Sequence, residues 1–210
     1  MPWATFLLLL VSGYVTVKLV SLTRTSERLK YLGLTIASAI FLVMQGTVFV
    51  DLLSGDNGLT EISAFIVEWG HVSSLAFVLS SLAVFIRESK PVFAQFPMLY
   101  TALPLLIVLS YILVKDTYAI KTWLVAIYQG GAITVALLMY GVYAYRRASY
   151  VVILSGVCIF LLSHILFWYV PGVQQYYPWI WKLLLAMGMI ITILGYEKAE
   201  VQEQTEPSLN

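Results

Sequence analysis

Long apolar runs separated by short polar segments dominate this chain. A helix that crosses a bilayer needs about 20 mostly apolar residues. Segments of that kind lie at roughly 3–22, 31–54, 62–86, 93–114, 120–144, 149–170 and 177–196. Because the connections are short, helices adjacent in sequence are expected to pack as antiparallel neighbours. The pattern predicts an all-α membrane protein, a single seven-transmembrane-helix bundle over residues 1–196, with a short polar cytoplasmic tail over 197–210.

The composition agrees with a bilayer environment. Of the 210 residues, 60% are hydrophobic and 11% are charged, whereas soluble domains have about 25% charged residues. The net charge is only +1 and no nucleotide- or RNA-binding glycine motif occurs, so lipid is the expected partner and nucleic acid is not. Cys158 is the single cysteine, which excludes an internal disulfide. We expect an integral protein of a plasma membrane or a bacterial inner membrane.

Lysine and arginine are distributed unequally between the two sets of loops. Cytoplasmic loops of membrane proteins carry the excess of these residues. Two basic residues, Lys115 and Lys121, lie on one predicted side. Eight lie on the other: Arg24, Arg28, Lys30, Arg87, Lys90, Arg146, Arg147 and Lys198. The bias predicts that the N-terminus is outside and the C-terminus is cytoplasmic, as an odd number of spans requires.

Tyrosine and tryptophan cluster near the predicted span ends, where amphipathic rings are enriched at the headgroup level. The predicted outer ends carry Trp3, Tyr176, Tyr177, Trp179 and Trp181, and the predicted inner ends carry Tyr31, Tyr143 and Tyr145. These positions are expected to anchor the helices at the two interfaces.

Five ionisable residues in the predicted spans are hard to explain as snorkelling or interfacial groups: Asp51, Glu68, His71, His164 and Lys182. Such residues are costly in hydrocarbon and normally face the bundle interior or a wet cavity. They lie about 5 to 14 Å below the outer face at about 1.5 Å per residue, and Gln45 and Gln129 fall in the same layer. The inner half has no ionisable counterpart beyond Lys18, which can snorkel. This asymmetry predicts a polar pocket that opens outward above an apolar floor.

One hypothesis for this pocket is a divalent metal site. Glu68 and His71 are spaced i, i+3 and therefore share a helix face, and His164 is a candidate third ligand. Two histidines and a glutamate with an open position match one catalytic zinc pattern. The protein would then be a metal-dependent membrane hydrolase.

A second hypothesis uses the histidines alone. His71 and His164 could ligate a haem b between the third and sixth spans, as in a membrane redox protein. Gly70 leaves room beside His71, and the rings of Phe167 and Trp168 near His164 suit a porphyrin.

Lys182 suggests two further alternatives. Seven spans, an outside N-terminus and a lysine in the last helix resemble microbial rhodopsins in architecture. The retinal Schiff base that this resemblance implies needs a lysine near mid-membrane, whereas Lys182 is predicted to lie about 8 Å deep. Alternatively, the polar groups satisfy one another without a further function, for example through an ion pair between Glu68 and Lys182.

Among the functional hypotheses, a small ligand or cofactor bound in an outward-facing pocket comes first, ahead of haem binding and of a metal-dependent hydrolase. The predicted ligand pocket consists of Asp51, Glu68, Gln45, Gln129 and Lys182, with His71 and His164 as the cofactor-binding pair. Such a protein would be a sensor or receptor-like module. Because the C-terminal tail carries no effector domain, signalling would require a cytoplasmic or membrane protein partner.

Overall fold

Helices and the short turns between them make up the whole described chain. The computed structural model describes residues 2–26, 29–54, 57–89, 97–114 and 118–205. Its elements are α1 (Pro2–Ser26), α2 (Leu29–Ser54), α3 (Asn57–Ser89), α4 (Pro97–Leu113), α5 (Tyr118–Arg146), α6 (Tyr150–Trp168), α7 (Val173–Tyr176) and α8 (Pro178–Thr205). The predicted all-α class is confirmed.

Six of the described helices are long and apolar enough to cross a membrane, namely α1, α2, α3, α5, α6 and α8. The chain is therefore a multi-pass integral membrane protein. The predicted fourth span corresponds to α4, which has 17 residues and a length of about 26 Å. That is slightly less than the hydrocarbon core of about 30 Å.

Contacts at both ends establish the directions of the helices. Trp3 packs on Trp179 with ring centroids 6.4 Å apart, and Lys18 Nζ lies 2.7 Å from Glu197 Oε1, so α1 and α8 are parallel. We call the two ends of the bundle the Trp3 end and the Tyr196 end.

The helices α3 and α5 are also parallel. Lys121 Nζ lies 3.3 Å from Glu68 Oε1 near the starts of the two helices. Near their ends, the Tyr143 hydroxyl donates to the Phe85 carbonyl at 3.2 Å. Phe85 also stacks on Tyr196, so both helices end at the Tyr196 end of the bundle and begin at the Trp3 end.

Six helices form a closed ring in the order α1, α2, α3, α5, α6 and α8, with α8 packing back against α1. The remaining long helix, α4, packs on α3 and reaches α5 through a 2.5 Å hydrogen bond between Ser110 and Tyr128. Leu105, Leu106, Leu109, Ile112 and Leu113 of α4 are exposed. These exposed residues place α4 at the periphery of the bundle, with an apolar face available to lipid.

Glycines allow α6 and α8 to approach closely. A β-carbon on Gly156 would collide with Thr192, one on Gly188 with Phe160, and one on Gly195 with Ile153. Small residues are enriched at helix contacts in membranes because dispersion and hydrogen bonding, rather than water exclusion, hold the helices together there.

Aromatic side chains fill the ring interior at the Tyr196 end. Tyr140 and Tyr196 share a 2.6 Å hydrogen bond between their hydroxyls, and both rings pack against Phe85. Tyr31 adds an edge contact with Phe85 at 6.0 Å and donates to Glu200 Oε2 at 3.1 Å. We call the rings of Tyr31, Phe85, Tyr140 and Tyr196 the aromatic floor.

Two sequence-based expectations are corrected at the Tyr196 end. Tyr31 is only 2% exposed and belongs to the core, so it is not an interfacial anchor. The predicted tail from residue 197 does not leave the bundle at that point, because α8 continues to Thr205. Glu200 is buried within this extension. Residues 206–210 of the predicted tail lie outside the described residues.

Candidate functional site

His71 of α3 faces the interior of the ring. It shares a helical face with Val78 and Leu82, which follow at spacings of seven and eleven residues. Leu82 belongs to the central core and Val78 packs against it. His71 lies about 10 to 17 Å closer to the Trp3 end than these two residues, and its side chain keeps some accessible surface.

His164 and Gln129 are placed in the same way on the next helices of the ring. His164 lies seven residues beyond Val157 on the same face of α6, and Gln129 lies seven residues before Ala136 on α5. Val157 and Ala136 are both core residues. The inward faces of α5 and α6 thus carry a polar residue above the core.

Gln45 and Lys182 continue this arrangement on α2 and α8. Gln45 lies seven residues beyond the buried Ser38, and Lys182 lies eleven residues before the core residue Ile193. These spacings return to the same helical face. Gln45 is itself only 9% exposed.

Contacts between α2, α3 and α5 show that the inward-facing polar residues occupy a common level. A β-carbon on Gly70 would collide with Met44, so the chain neighbours His71 and Gln45 lie at similar heights. The hydrogen bond between Tyr143 and Phe85 shows that a residue of α5 lies level with the residue of α3 whose number is 58 lower. Because α3 and α5 are parallel and rise equally per residue, Gln129 and His71, which also differ by 58, lie level with each other.

Contacts on the other side of the ring extend this level to α6 and α8. His164 Nε2 lies 3.2 Å from the place where a β-carbon on Gly130 would be. The Ser163 hydroxyl donates to the Trp181 carbonyl at 2.9 Å, which places His164 beside Lys182 in height. We call Gln45, His71, Gln129, His164 and Lys182 the polar layer.

Some members of the polar layer have hydrogen-bond partners and others do not. Trp168 Nε1 donates to Gln129 Oε1 at 2.8 Å, and Lys182 Nζ donates to the fully buried Thr5 hydroxyl at 2.7 Å. Within the described ranges, Gln45 and His71 make no side-chain hydrogen bond, and Lys182 has no carboxylate partner. The layer therefore retains unused hydrogen-bonding capacity and an uncompensated ammonium group.

Glu68 and Asp51 lie apart from the polar layer. Glu68 accepts a 2.6 Å hydrogen bond from the Tyr111 hydroxyl and pairs with Lys121, so it links α3 to α4 and α5. The ion pair suggested between Glu68 and Lys182 is wrong, because Lys182 binds Thr5 instead. Asp51 accepts from the Thr60 hydroxyl at 2.8 Å at the Trp3 end of α2 and α3. The single pocket predicted for these residues is therefore divided among three places.

The proposed metal ligands Glu68, His71 and His164 are not brought together. In the part of the chain that the structure describes, no three His, Cys, Asp or Glu side chains are grouped closely enough to hold a metal ion. The metal-dependent hydrolase hypothesis gains no support from this arrangement.

The surroundings of the two histidines bear on the haem hypothesis. Both histidines face the interior, as bis-His ligation requires. His164 also contacts the rings of Trp168 and Tyr169, with centroids 6.5 and 6.0 Å away. However, its Nε2 atom lies against the bare backbone of Gly130 and would have to turn away before it could ligate iron.

Sequence reasoning missed the hydroxyl partners in this site. Thr5 binds Lys182, and Tyr111 binds Glu68. Hydroxyl groups in membrane helices carry little sequence signal, because they can bond the backbone of their own helix. The only hint for Thr5 was its position on the face of α1 that also carries Leu8, Ser12 and Val15, all of which are buried.

The chain was also compared with known proteins. No family model matches it, and neither the curated proteins nor the solved structures include a significant match. The conclusions about this site therefore depend on its own residues.

Proposed function

We propose that this multi-pass membrane protein binds a small ligand inside its helical ring, in a pocket that opens outward at the Trp3 end. The polar layer forms the binding surface, and the aromatic floor closes the opposite end of the interior. A polar group on each of five neighbouring helices, at one level and facing inward, is costly in a membrane protein and typical of a functional site.

The observation that carries this proposal is that the side chains of Gln45 and His71 lack hydrogen-bond partners. Both side chains face inward, and neither has a hydrogen-bond partner among the described residues. In a membrane interior, a polar side chain without a hydrogen-bond partner is costly unless water reaches it. Water or a ligand that supplies the missing hydrogen bonds would remove that cost.

Lys182 indicates the chemical class of the ligand. It contributes the only formal positive charge of the polar layer, and its partner is the neutral hydroxyl of Thr5. A buried ammonium group without a carboxylate favours an anionic ligand. A small molecule with a carboxylate or phosphate near Lys182 and polar groups facing Gln45 and His71 fits this arrangement.

The outward opening depends on seven crossings and on the predicted orientation. If every long helix crosses the membrane, parallel first and last helices require an odd number of crossings, and α1 and α8 are parallel. The chain also has to return from the Tyr196 end of α3 to the Trp3 end of α5, and α4 lies on that path. The excess of lysine and arginine near the Tyr196 end favours a cytoplasmic location for that end.

A binding module agrees better with this interior than a conduit does. A channel or proton path needs polar groups across the full membrane thickness. Below the polar layer, apolar and aromatic side chains make up most of the described interior, with a few buried polar residues such as Ser12 and Glu200 among them. A sensor or receptor-like role would pass information on through a protein partner at the cytoplasmic face.

Accessibility of the polar layer tests the proposal. We would introduce Gln45→Cys and His71→Cys separately into a Cys158→Ser background, because Cys158 is an exposed free thiol. A small, membrane-impermeant methanethiosulfonate reagent added to intact cells should modify both positions, because the pocket opens outward. Mass spectrometry of the purified protein measures the modified fraction.

Val78→Cys is the matched control for this experiment. It lies on the same face of α3 as His71 but deeper, against the core, and should remain unmodified. Protection of the cysteines at positions 45 and 71 would contradict the proposed pocket, and equal modification at position 78 would indicate a continuous conduit.

Haem b binding is the second candidate, favoured by the inward direction and common level of His71 and His164. It predicts a Soret band in the visible spectrum of the purified protein, and this band should disappear in His71→Ala and in His164→Ala. A colourless protein would exclude haem and retinal together and leave the anionic ligand as the preferred occupant.

A further inference from the structure

Two cavities lie side by side on the outside of the ring, between α2 and α3. Their volumes are about 290 and 270 Å³. Val43 lines both of them, so they form one continuous surface depression. We call it the α2/α3 groove. It runs along α2 from Ala39 to Asp51.

The walls of the α2/α3 groove are almost entirely apolar. Val43 and Val50 on α2 and Ile62 on α3 are more than half exposed, as expected for side chains that face lipid. Gly46 and Gly70 also line the groove. Among the described residues that line the groove, Asp51 is the one with a charge, and it lies at the Trp3 end.

The length of the groove matches one leaflet of a bilayer. Twelve residues separate Ala39 from Asp51, which corresponds to about 18 Å of helix. Half of a hydrocarbon core of about 30 Å is about 15 Å. A lipid in the leaflet at the Trp3 end would therefore extend its chain along the groove from the headgroup level to about the midplane.

We propose that the α2/α3 groove binds one acyl chain of a phospholipid whose headgroup carries a primary ammonium group, of the phosphatidylethanolamine class. The ammonium group contacts the Asp51 carboxylate. Asp51 Oδ1 accepts from the Thr60 hydroxyl at 2.8 Å, and Oδ2 has no hydrogen-bond partner among the described residues. A primary ammonium group donates hydrogen bonds to such an oxygen, whereas the quaternary ammonium of phosphatidylcholine has no N–H group.

The distribution of charge favours a lipid over a helix from a second copy of the chain. A packed helix would be expected to contact α2 and α3 over most of their length, whereas the groove covers only the half near the Trp3 end. The carboxylate also lies near the Trp3 end of α2, where a lipid of that leaflet would place its headgroup ammonium.

Native mass spectrometry of the delipidated full-length protein tests this site. Equal amounts of phosphatidylethanolamine, phosphatidylcholine and phosphatidylglycerol with identical acyl chains would be added in detergent. We expect the phosphatidylethanolamine adduct to exceed the phosphatidylcholine adduct about two- to fivefold, the range of a partly exposed charge pair. In Asp51→Asn this ratio should fall to about one.

Val43→Trp tests the acyl-chain contact separately from the headgroup contact. The indole would occupy both cavities, so all specific lipid adducts should decrease. Val17→Trp is the matched control, because Val17 is 68% exposed on α1 and lies outside the groove; it should behave like the wild type.

Three results would overturn the proposal. They are equal binding of the three lipids by the wild type, unchanged adducts in Val43→Trp, and a wild-type dimer that Val43→Trp dissociates. The last result would identify the groove as an interface between copies. Because Asp51→Asn changes only a headgroup contact, it keeps the test decisive if Val43→Trp is poorly folded.

Discussion

Gly156 and Gly131 occupy helices of the same ring but differ in what surrounds them. A β-carbon on Gly156 would collide with Thr192 and lie 3.1 Å from the Gly188 carbonyl oxygen, whereas one on Gly131 would meet nothing within 4 Å. Gly156→Ala should therefore destabilise the protein by about 1–3 kcal/mol through overpacking. Gly131→Ala should be neutral or stabilising by up to about 1 kcal/mol, as for a glycine inside a helix.

Thermal unfolding of the two variants in the same detergent measures this difference. The unfolding midpoint of Gly156→Ala should lie below that of the wild type, and the midpoint of Gly131→Ala should not. Equal midpoints would show that α6 and α8 are not packed as closely as Gly156 and Gly188 indicate.

Glu68 illustrates what a single residue in a sequence can and cannot reveal. Its cost in hydrocarbon made it recognisable as a special position, and it is indeed engaged. Its partners, Tyr111 and Lys121, lie on α4 and α5, and their choice depends on how α3 is rotated. Hydropathy contains no information about that rotation, so the suggested partner Lys182 was wrong.

The C-terminal part of α8 is an element whose role differs from the sequence-based expectation. Lys18 binds Glu197, Tyr31 donates to Glu200, and Ala199 is buried. A chain that ends after Tyr196 should therefore be less stable than one that ends after Thr205. We expect its thermal midpoint to fall by at least about 2–4 °C, the shift that about 1 kcal/mol produces in a chain of this size.

The chain that ends after Thr205 is the control for shortening itself, since it lacks only residues 206–210. Its midpoint should match that of the full-length chain in circular dichroism or dye-based unfolding. If both truncations unfold like the full-length protein, the contacts of Glu197 and Glu200 contribute nothing measurable to stability.

The helix α4 shows the limit of element prediction in the other direction. Its apolar run predicted a span, and the described helix has 17 residues. Its packing on α3 and its hydrogen bond to Tyr128 place it beside the ring. Neither its peripheral position nor its partners follow from its hydropathy, because any sufficiently apolar helix produces the same signal.

At the scale of the whole molecule, the number of crossings and the orientation make one joint prediction. Single cysteines would be introduced at Asp56, Ser89 and Asp116 in the Cys158→Ser background. A membrane-impermeant maleimide added to intact cells should label positions 56 and 116 but not 89. Permeabilised cells should show labelling at all three positions.

Each position tests a separate part of this topology. Labelling at 89 but not at 56 would reverse the orientation, and the proposed pocket would then open toward the cytoplasm. Labelling at 56 without labelling at 116 would mean that α4 does not cross the membrane. Labelling at 89 reports the side on which α3 ends, whether or not α4 crosses the membrane.

The sequence by itself determined the membrane environment, the helical class, the approximate spans and the unusual polar positions. These features follow from local chemistry: a run of apolar residues partitions into lipid, and its backbone must then bond within the same helix. The costs of Gln45, His71, Gln129, His164 and Lys182 are likewise visible without any neighbour, which is why each could be selected in advance.

The tertiary structure alone decided which of these residues share a surface. It placed α1 beside α8, put Gln45, His71, Gln129, His164 and Lys182 in one polar layer, and directed Glu68 and Asp51 elsewhere. The reason is that helices in lipid associate through shape and a few hydrogen bonds, not through hydropathy. The rotation and order of the helices, and therefore the composition of the site, depend on pairwise fits such as that between Gly156 and Thr192.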